Sequence, residues 1–185
     1  MADGYWDLDA IACGQTRITA TFRTAVFGYG FMENKDRENL DENSVVEMAY
    51  WLAKPLALHG TVGLDIPNCF SSLRQDDLYA SPQSVNLASL CPYFFRFGAN
   101  VLRILDIANL AKLLLDTFKQ RLRLINDYTN SSRIINDLST FLQFLDATEY
   151  RMYEIGLEAA QAKAQWAKRD LRLDDMRIEK RRRLH

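Results

Sequence analysis

Glycine, proline and cysteine are all scarce in this sequence. Its 185 residues include 8 glycines, 4 prolines and 3 cysteines, beside 48% hydrophobic and 25% charged residues. This balance excludes collagen and a mainly disordered chain. Apolar runs fall well short of the roughly 18 residues that cross a bilayer, and the first ten residues lack the basic-then-apolar order of a secretory signal. We therefore expect a folded, soluble, intracellular protein without membrane contact.

Cysteine and histidine are too few and too scattered for the common metal and redox sites. Cys13, Cys69 and Cys91 are far apart and form no Cys-x-x-Cys pair, which predicts reduced thiols. The two histidines, His59 and His185, cannot form a His-x-x-x-His pair. No metal site is expected.

Motifs for catalysis are also missing. Gly28-x-Gly30 lacks the third glycine of a dinucleotide-binding turn, and no Gly-Lys-Ser/Thr phosphate loop is present. Cys69 with His59 is conceivable as a nucleophile and base, but a buried thiol and a surface imidazole are the favoured interpretation. Two pairs of adjacent aspartates, Asp76-Asp77 and Asp174-Asp175, could in principle hold Mg²⁺. Adjacent residues on a helix point about 100° apart, so solvent-exposed charge is the favoured interpretation of both pairs. We predict no enzyme, no cofactor and no small-molecule substrate.

Charge is nearly balanced overall but unevenly distributed. The net charge is −1, yet residues 33–47 carry six acids against two bases. The other end is basic, and its candidate contact residues are Lys180, Arg181, Arg182 and Arg183. These four residues could bind phosphate groups or an acidic protein. The alternative is that they form a solvent-exposed chain end without a partner. Since no base-reading or stacking motif accompanies them, sequence-specific nucleic-acid recognition is not expected.

The sequence pattern predicts a mainly α fold: a small N-terminal β-rich module followed by a larger helical-bundle domain with one long C-terminal helix. Alternating apolar residues from Ile18 to Phe22 predict a strand, and the first 32 residues are expected to hold two or three strands and one short helix capped by Asp7. From Ser44 onward the spacing predicts helix. The predicted organisation is a β-rich module at 1–33, an acidic linker at 34–44, the helical domain at 45–170 and a charged tail at 171–185.

Two long helices end the predicted helical domain. Apolar residues spaced by three and four predict one helix over 107–128 and another over 134–166. The second, of about 33 residues, would be near 50 Å long at 1.5 Å per residue. A domain of this size cannot cover that length, so the end of the helix needs apolar contacts from another chain. The candidate partner-interface residues are Leu110, Leu114, Phe118, Tyr153, Leu157 and Trp166.

Several segments resemble, in order, the GINS family of eukaryotic replication factors, and within it the third Psf subunit. The matching pieces are Leu8-Asp9-Ala10-Ile11, Tyr50-Trp51-Leu52-Ala53-Lys54-Pro55-Leu56, Pro92-Tyr93-Phe94-x-x-Phe97-Gly98 with Val101-Leu102, Leu115-x-x-Phe118-x-x-Arg121-Leu122-Arg123-x-Ile125, and Leu145-Asp146-x-x-Glu149 with Gly156 and Trp166. They cover most of residues 7–170. The Trp-Leu-Ala-Lys and Pro-x-Phe-x-x-Phe-Gly pieces are the most specific.

The resemblance implies a nuclear, chromatin-associated, non-catalytic scaffold subunit of a heterotetramer. Its implied partners are three other GINS subunits and, through the complex, the MCM helicase motor and its Cdc partner, with indirect or weak DNA contact at most. Together these would form the replicative helicase that acts in initiation and elongation of DNA replication. The alternative from composition alone is a stand-alone helical adaptor that binds nucleic acid or an acidic protein through its basic tail.

Overall fold

The computed structural model of the protein describes residues 6–33, 38–130 and 138–182, with side chains described as far as residue 169 of the last helix. The strands are β1 (Arg17–Phe22), β2 (Val45–Ala49) and β3 (Val62–Leu64). The helices are α1 (Leu8–Gly14), α2 (Tyr50–Leu58), α3 (Ser72–Ala80), α4 (Leu87–Leu90), α5 (Phe94–Val101), α6 (Leu110–Asn130), α7 (Leu138–Phe144) and α8 (Ala147–Arg182). A small sheet thus precedes a helical bundle that ends in one long helix, which confirms the predicted fold class.

The three strands form an antiparallel sheet in the order β2-β1-β3. Ala20 at the centre of β1 lies opposite Val46 of β2 and Leu64 of β3. Ile18, Ala20 and Phe22 are buried while the residues between them are more exposed, as the alternating sequence pattern predicts. The predicted strand and the Asp7 cap of α1 are both confirmed, because the Asp7 carboxylate accepts hydrogen bonds from the N–H groups of Asp9 and Ala10.

Two strands lie where the sequence pattern predicted helix. β2 and β3 come after the acidic segment 34–44, so this segment connects β1 to its partner β2. The expectation of two or three strands before residue 33 was therefore wrong for the residues described there, which hold β1. Residues 45–49 alternate between exposed and buried side chains. Over so few residues, apolar spacing does not distinguish a short strand from the first turn of a helix.

One apolar core joins the sheet to α2, α5 and the start of α6. The rings of Phe94 and Phe97 lie 5.0 Å and 6.0 Å from the ring of Phe70. α5 and α6 approach closely at Gly98, where a Cβ atom would lie 2.6 Å from a Leu114 methyl carbon. A larger residue at this position would displace the side chain of Leu114 and press on the ring of Phe70. The predicted β-rich module therefore shares its core with the helical bundle.

A second apolar cluster lies between α6 and α8 and contains Ile125, Leu145 and Tyr153. The two helices run parallel, because Arg121 of α6 contacts Glu149 of α8 and, about two turns further along both helices, Thr129 of α6 lies against Gly156 of α8. A Cβ at Gly156 would lie 2.9 Å from the Thr129 methyl carbon. The first predicted long helix is confirmed as α6.

The second predicted long helix is interrupted. Instead of one helix over 134–166, α7 ends at Phe144 and α8 begins at Ala147. α8 has 36 residues, about 54 Å at 1.5 Å per residue. A long C-terminal helix is thus present, but it starts later and extends further than the spacing of apolar residues indicated.

Candidate subunit interface

The break before α8 is made by a reciprocal helix cap. The Asp146 carboxylate accepts a hydrogen bond from the Glu149 N–H at 2.8 Å, and the Glu149 carboxylate accepts one from the Asp146 N–H at 3.3 Å. This is a capping box, which starts a helix by satisfying its free N–H groups. Asp146 also accepts from the Phe95 N–H at 3.2 Å, so one carboxylate fixes the first turns of both α5 and α8.

A buried arginine, Arg121 of α6, also contacts the start of α8, and we call the contact region around Arg121 and Glu149 the corner. Arg121 is 2% exposed, and it donates to both carboxylate oxygens of Glu149, at 2.7 Å and 2.9 Å. Its remaining donors reach the carbonyls of Pro82, Val85 and Phe144 at 2.8–3.0 Å. All five N–H groups of the guanidinium are therefore used. The pair fixes α8 to α6, to the end of α7 and to the loop after α3.

Burial of its carboxyl raises the pKa of Asp146 to about 6. The hydrogen bonds from the N–H groups of Glu149 and Phe95 lower this pKa and offset part of the effect of burial. The folded chain therefore binds this proton more tightly than the unfolded chain. The contribution of Asp146 to the free energy of unfolding falls as pH rises through the range from about 4 to about 6.

We expect protection of the α8 amides from hydrogen exchange, taken relative to the Asp146→Asn variant, to fall about ninefold between pH 5 and pH 7, or about 1.3 kcal/mol. Hydrogen-exchange mass spectrometry of the assembled protein measures this ratio, in which the intrinsic pH dependence of exchange cancels. A ratio that is constant with pH would show that Asp146 does not titrate there.

An open apolar groove of about 540 Å³ lies between α1, α5, α6 and α8. Its apolar lining is formed by Tyr93, Phe95, Phe118, Met152 and Ile155. The rings of Phe95 and Phe118 meet edge to face, with their centres 5.1 Å apart.

Ion pairs lie at the edges of this groove, where Arg151 contacts Asp9 at 3.7 Å and Arg96 contacts Asp7. The hydrogen bond from Arg96 holds the pKa of Asp7 below its ordinary value. An apolar floor with a charged rim is the usual composition of a protein-binding surface.

Large apolar side chains are exposed on the α8 side of this groove. Met152 and Ile155 of α8 line the groove and are 44% and 54% exposed. Outside the groove, Leu115 of α6 is 53% exposed and Trp166, further along α8, is 66% exposed. Exposed apolar residues that lie next to one another make this face a candidate surface for another protein.

The six predicted interface residues divide into two groups. Leu110, Leu114 and Tyr153 are buried in the protein's own cores, which leaves little of each side chain for another chain to contact. Helical spacing identifies an apolar face but does not show whether the same chain covers it. Phe118 lines the groove, Leu157 is 36% exposed and Trp166 is well exposed. For these three, partner contact stays a prediction.

Two apolar residues of the groove on α8 were not among the predicted contacts. Met152 and Ile155 lie about 100° and 200° around the helix from Tyr153, at 100° per residue. Two apolar faces on one helix were the available signal. The inward face is covered by the chain itself and the outward face is left open.

The other predicted features give no site for chemistry. Burial raises the pKa of Cys69 to about 12, so this thiol is not an activated nucleophile, and His59 is exposed at the end of α2. The three cysteines are free and buried, as predicted. Within the described ranges no cluster of potential metal ligands occurs, and no helix has the length and apolar character to cross a membrane.

The side chains of the candidate basic contacts are not described. The α8 backbone includes Lys180, Arg181 and Arg182, and Arg183 lies outside the described residues. Their role as contacts stays a prediction.

A helical bundle with an open apolar groove and a long, exposed C-terminal helix is the architecture typical of a subunit in a larger assembly. Comparison of the sequence with models of known protein families identifies the particular family. A family model described as the GINS complex protein helical bundle domain matches residues 69–165, and one described as the PSF3 N-terminal domain matches residues 6–58. The chain belongs to the PSF3 family of GINS subunits, which act in DNA replication.

Curated proteins of the same family are similar to this chain over almost its whole length. The chain is 30% identical over 169 residues to the DNA replication complex GINS protein PSF3 of Phaeosphaeria nodorum, covering 88% of this chain and 94% of the relative. It is 27% identical to psf3 of Aspergillus fumigatus, with 88% and 96% covered, and 26% identical to psf3 of Schizosaccharomyces pombe, again with 88% and 96% covered.

Proposed function

We propose that the chain is a non-catalytic structural subunit of a heterotetrameric GINS complex in the nucleus. This complex joins the MCM motor to its Cdc partner and so forms the replicative helicase for initiation and elongation. The role of the chain is to bind three sister subunits and to present the assembly to the motor. Its partners are proteins, and contact with DNA is indirect or weak.

The exposed apolar groove between α6 and α8 is the observation that carries this proposal. Fully burying an exposed large aliphatic side chain contributes about 1.5–3 kcal/mol, and Met152 and Ile155 are about half exposed in the groove. A sister subunit on this surface would bury the exposed part of both side chains. The fixed corner of Arg121 and Glu149 supports the surface, because it sets the angle at which α8 leaves the bundle.

The β1–β2 connection offers a separate surface for the motor. Phe27, Tyr29 and Phe31 lie between the strands and are 79%, 51% and 69% exposed. The segment is held in place, because Val26 and Leu40 exchange backbone hydrogen bonds at 2.9 Å and Leu40 is fully buried. We assign the motor contact to the β-rich module for this reason.

Co-expression tests the proposal. The chain alone is expected to aggregate at micromolar concentration, because the groove is open to water. With the three sister subunits it is expected to be soluble and to give a native mass near that of four chains. The variant without residues 177–185 is expected to assemble equally well, whereas a tail-dependent adaptor would lose its binding. A stable, monodisperse monomer at micromolar concentration would contradict the proposal.

A further inference from the structure

The β1–β2 connection exposes three aromatic rings on a segment whose backbone is anchored to the fold. Phe27, Tyr29 and Phe31 are exposed, whereas Val26 and Met32, on either side of them, pack against the main apolar core. The rings of Tyr29 and Phe31 lie with their centres 6.0 Å apart and their planes tilted by 31°. Because the stretch is held at both ends, the exposure of these rings is a property of the folded chain.

The returning half of the connection runs beside the aromatic half. The Gly30 N–H donates to the Glu38 carbonyl at 3.2 Å, and the Gly28 N–H donates to the side-chain oxygen of Asn39 at 3.1 Å. Glu38 therefore lies next to Gly30, which is flanked in the chain by two of the three exposed rings.

This returning half is acidic. Glu38, Asp41 and Glu42 are exposed, and residues 33–47 carry six acids against two bases. Among the residues that the structure describes, no lysine or arginine forms an ion pair with Glu38 or Glu42. A ligand that carries phosphate groups or carboxylates would be repelled from this surface.

A cationic ligand suits the rings and the carboxylates together. An ammonium or guanidinium group is attracted to the face of an aromatic ring within about 6 Å of its centre, and the same group pairs with a carboxylate. A wholly apolar partner would instead bury the carboxylates of Glu38 and Glu42 without a counter-charge, which is costly. Charge complementarity thus favours lysine and arginine side chains on this surface.

We propose that the β1–β2 connection binds a lysine- or arginine-rich segment of a partner protein, whose cationic groups contact the exposed rings and the carboxylates of Glu38 and Glu42. The inference rests on the proposed function, in which this module meets the motor, and it adds the chemistry of the segment that binds there.

A charge-matched pair of variants tests the carboxylates. The probe is a fluorescent peptide of alternating arginine and glycine, and fluorescence anisotropy measures its binding to the assembled four-chain complex. We expect Glu38→Gln with Glu42→Gln to weaken binding about fivefold. The control is Asp65→Asn with Asp76→Asn, which removes the same charge from exposed positions outside the connection and should leave binding unchanged.

A matched pair of tyrosine variants tests the rings. Tyr29 of the connection and Tyr79 of α3 are similarly exposed, so serine at either position should leave the fold intact. We expect Tyr29→Ser to weaken binding of the arginine peptide about threefold and Tyr79→Ser to leave it unchanged. A counterpart peptide with glutamate in place of arginine should not bind.

Equal binding by the two charge variants, or by the two tyrosine variants, would overturn the inference. So would equal binding of the arginine and glutamate peptides. Binding of a single-stranded DNA oligonucleotide that is lost in Tyr29→Ser would assign the surface to nucleic acid and would also overturn it. Failure of the four-chain complex to form would instead reject the proposed function, so the two failures are distinguishable.

Discussion

Arg121→Met is expected to destabilise the chain by about 3–5 kcal/mol, because it leaves the Glu149 carboxylate buried without its partner. The carbonyls of Pro82, Val85 and Phe144 lose their donors in the same step. For a chain of this size we expect the unfolding temperature of the co-expressed assembly to fall by about 10 °C. Differential scanning fluorimetry and the soluble yield measure this loss.

Arg123→Met is the matched control for this experiment. Arg123 is on the same helix two residues later and is exposed, so the same substitution should change stability by less than about 0.5 kcal/mol. The double variant Arg121→Met with Glu149→Leu should recover only part of the loss, since it removes both charges together but also removes the Glu149 hydrogen bond to the Asp146 N–H. Equal unfolding temperatures for Arg121→Met and Arg123→Met would show that the buried pair does not hold the corner.

Ile155→Asp is expected to weaken assembly with the sister subunits about 100-fold. The substitution removes apolar burial and places a carboxylate in an apolar contact, which together cost about 3 kcal/mol. Because Ile155 is 54% exposed in the chain itself, folding should be unaffected. Native mass spectrometry over a dilution series measures the change as dissociation of the four-chain complex.

Leu73→Asp provides the control for surface charge. Leu73 of α3 is 75% exposed and does not line the groove, so its complex should dissociate at the same concentration as the unsubstituted one. If Ile155→Asp assembles as well as Leu73→Asp, the groove is not a subunit contact.

Much of the fold could be predicted from the sequence because several elements have a regular pattern of apolar residues along their whole length. β1 shows strict alternation, and α6 keeps one apolar spacing over five turns. β2 and β3 were missed because each is short, and their pairing with β1 depends on residues that are distant in the sequence. The start of α8 was missed for a different reason. Asp146 and Glu149 were noted as part of a family motif, but their reciprocal cap becomes clear in the folded geometry.

The sequence predicted an apolar contact surface on the helices, but it did not identify which residues are exposed there. The expectation that apolar helix faces meet other chains agrees with the open groove, yet Leu110, Leu114 and Tyr153 are covered within the chain. Exposure depends on which elements pack together, and α6 and α8 each have apolar residues on more than one side. Periodicity gives the direction of a side chain relative to its own helix and nothing about the neighbour in that direction.

The sequence by itself determined the family, the helical character of the C-terminal region, the central strand and the scarcity of groups for catalysis, because each depends on residue type and local spacing. The tertiary structure decided where α8 begins, which apolar faces are covered and which remain open. It also gave Arg121 its role, since three segments that are distant in the sequence bring their acceptors to its guanidinium. These outcomes depend on contacts between distant segments, and local spacing does not encode them.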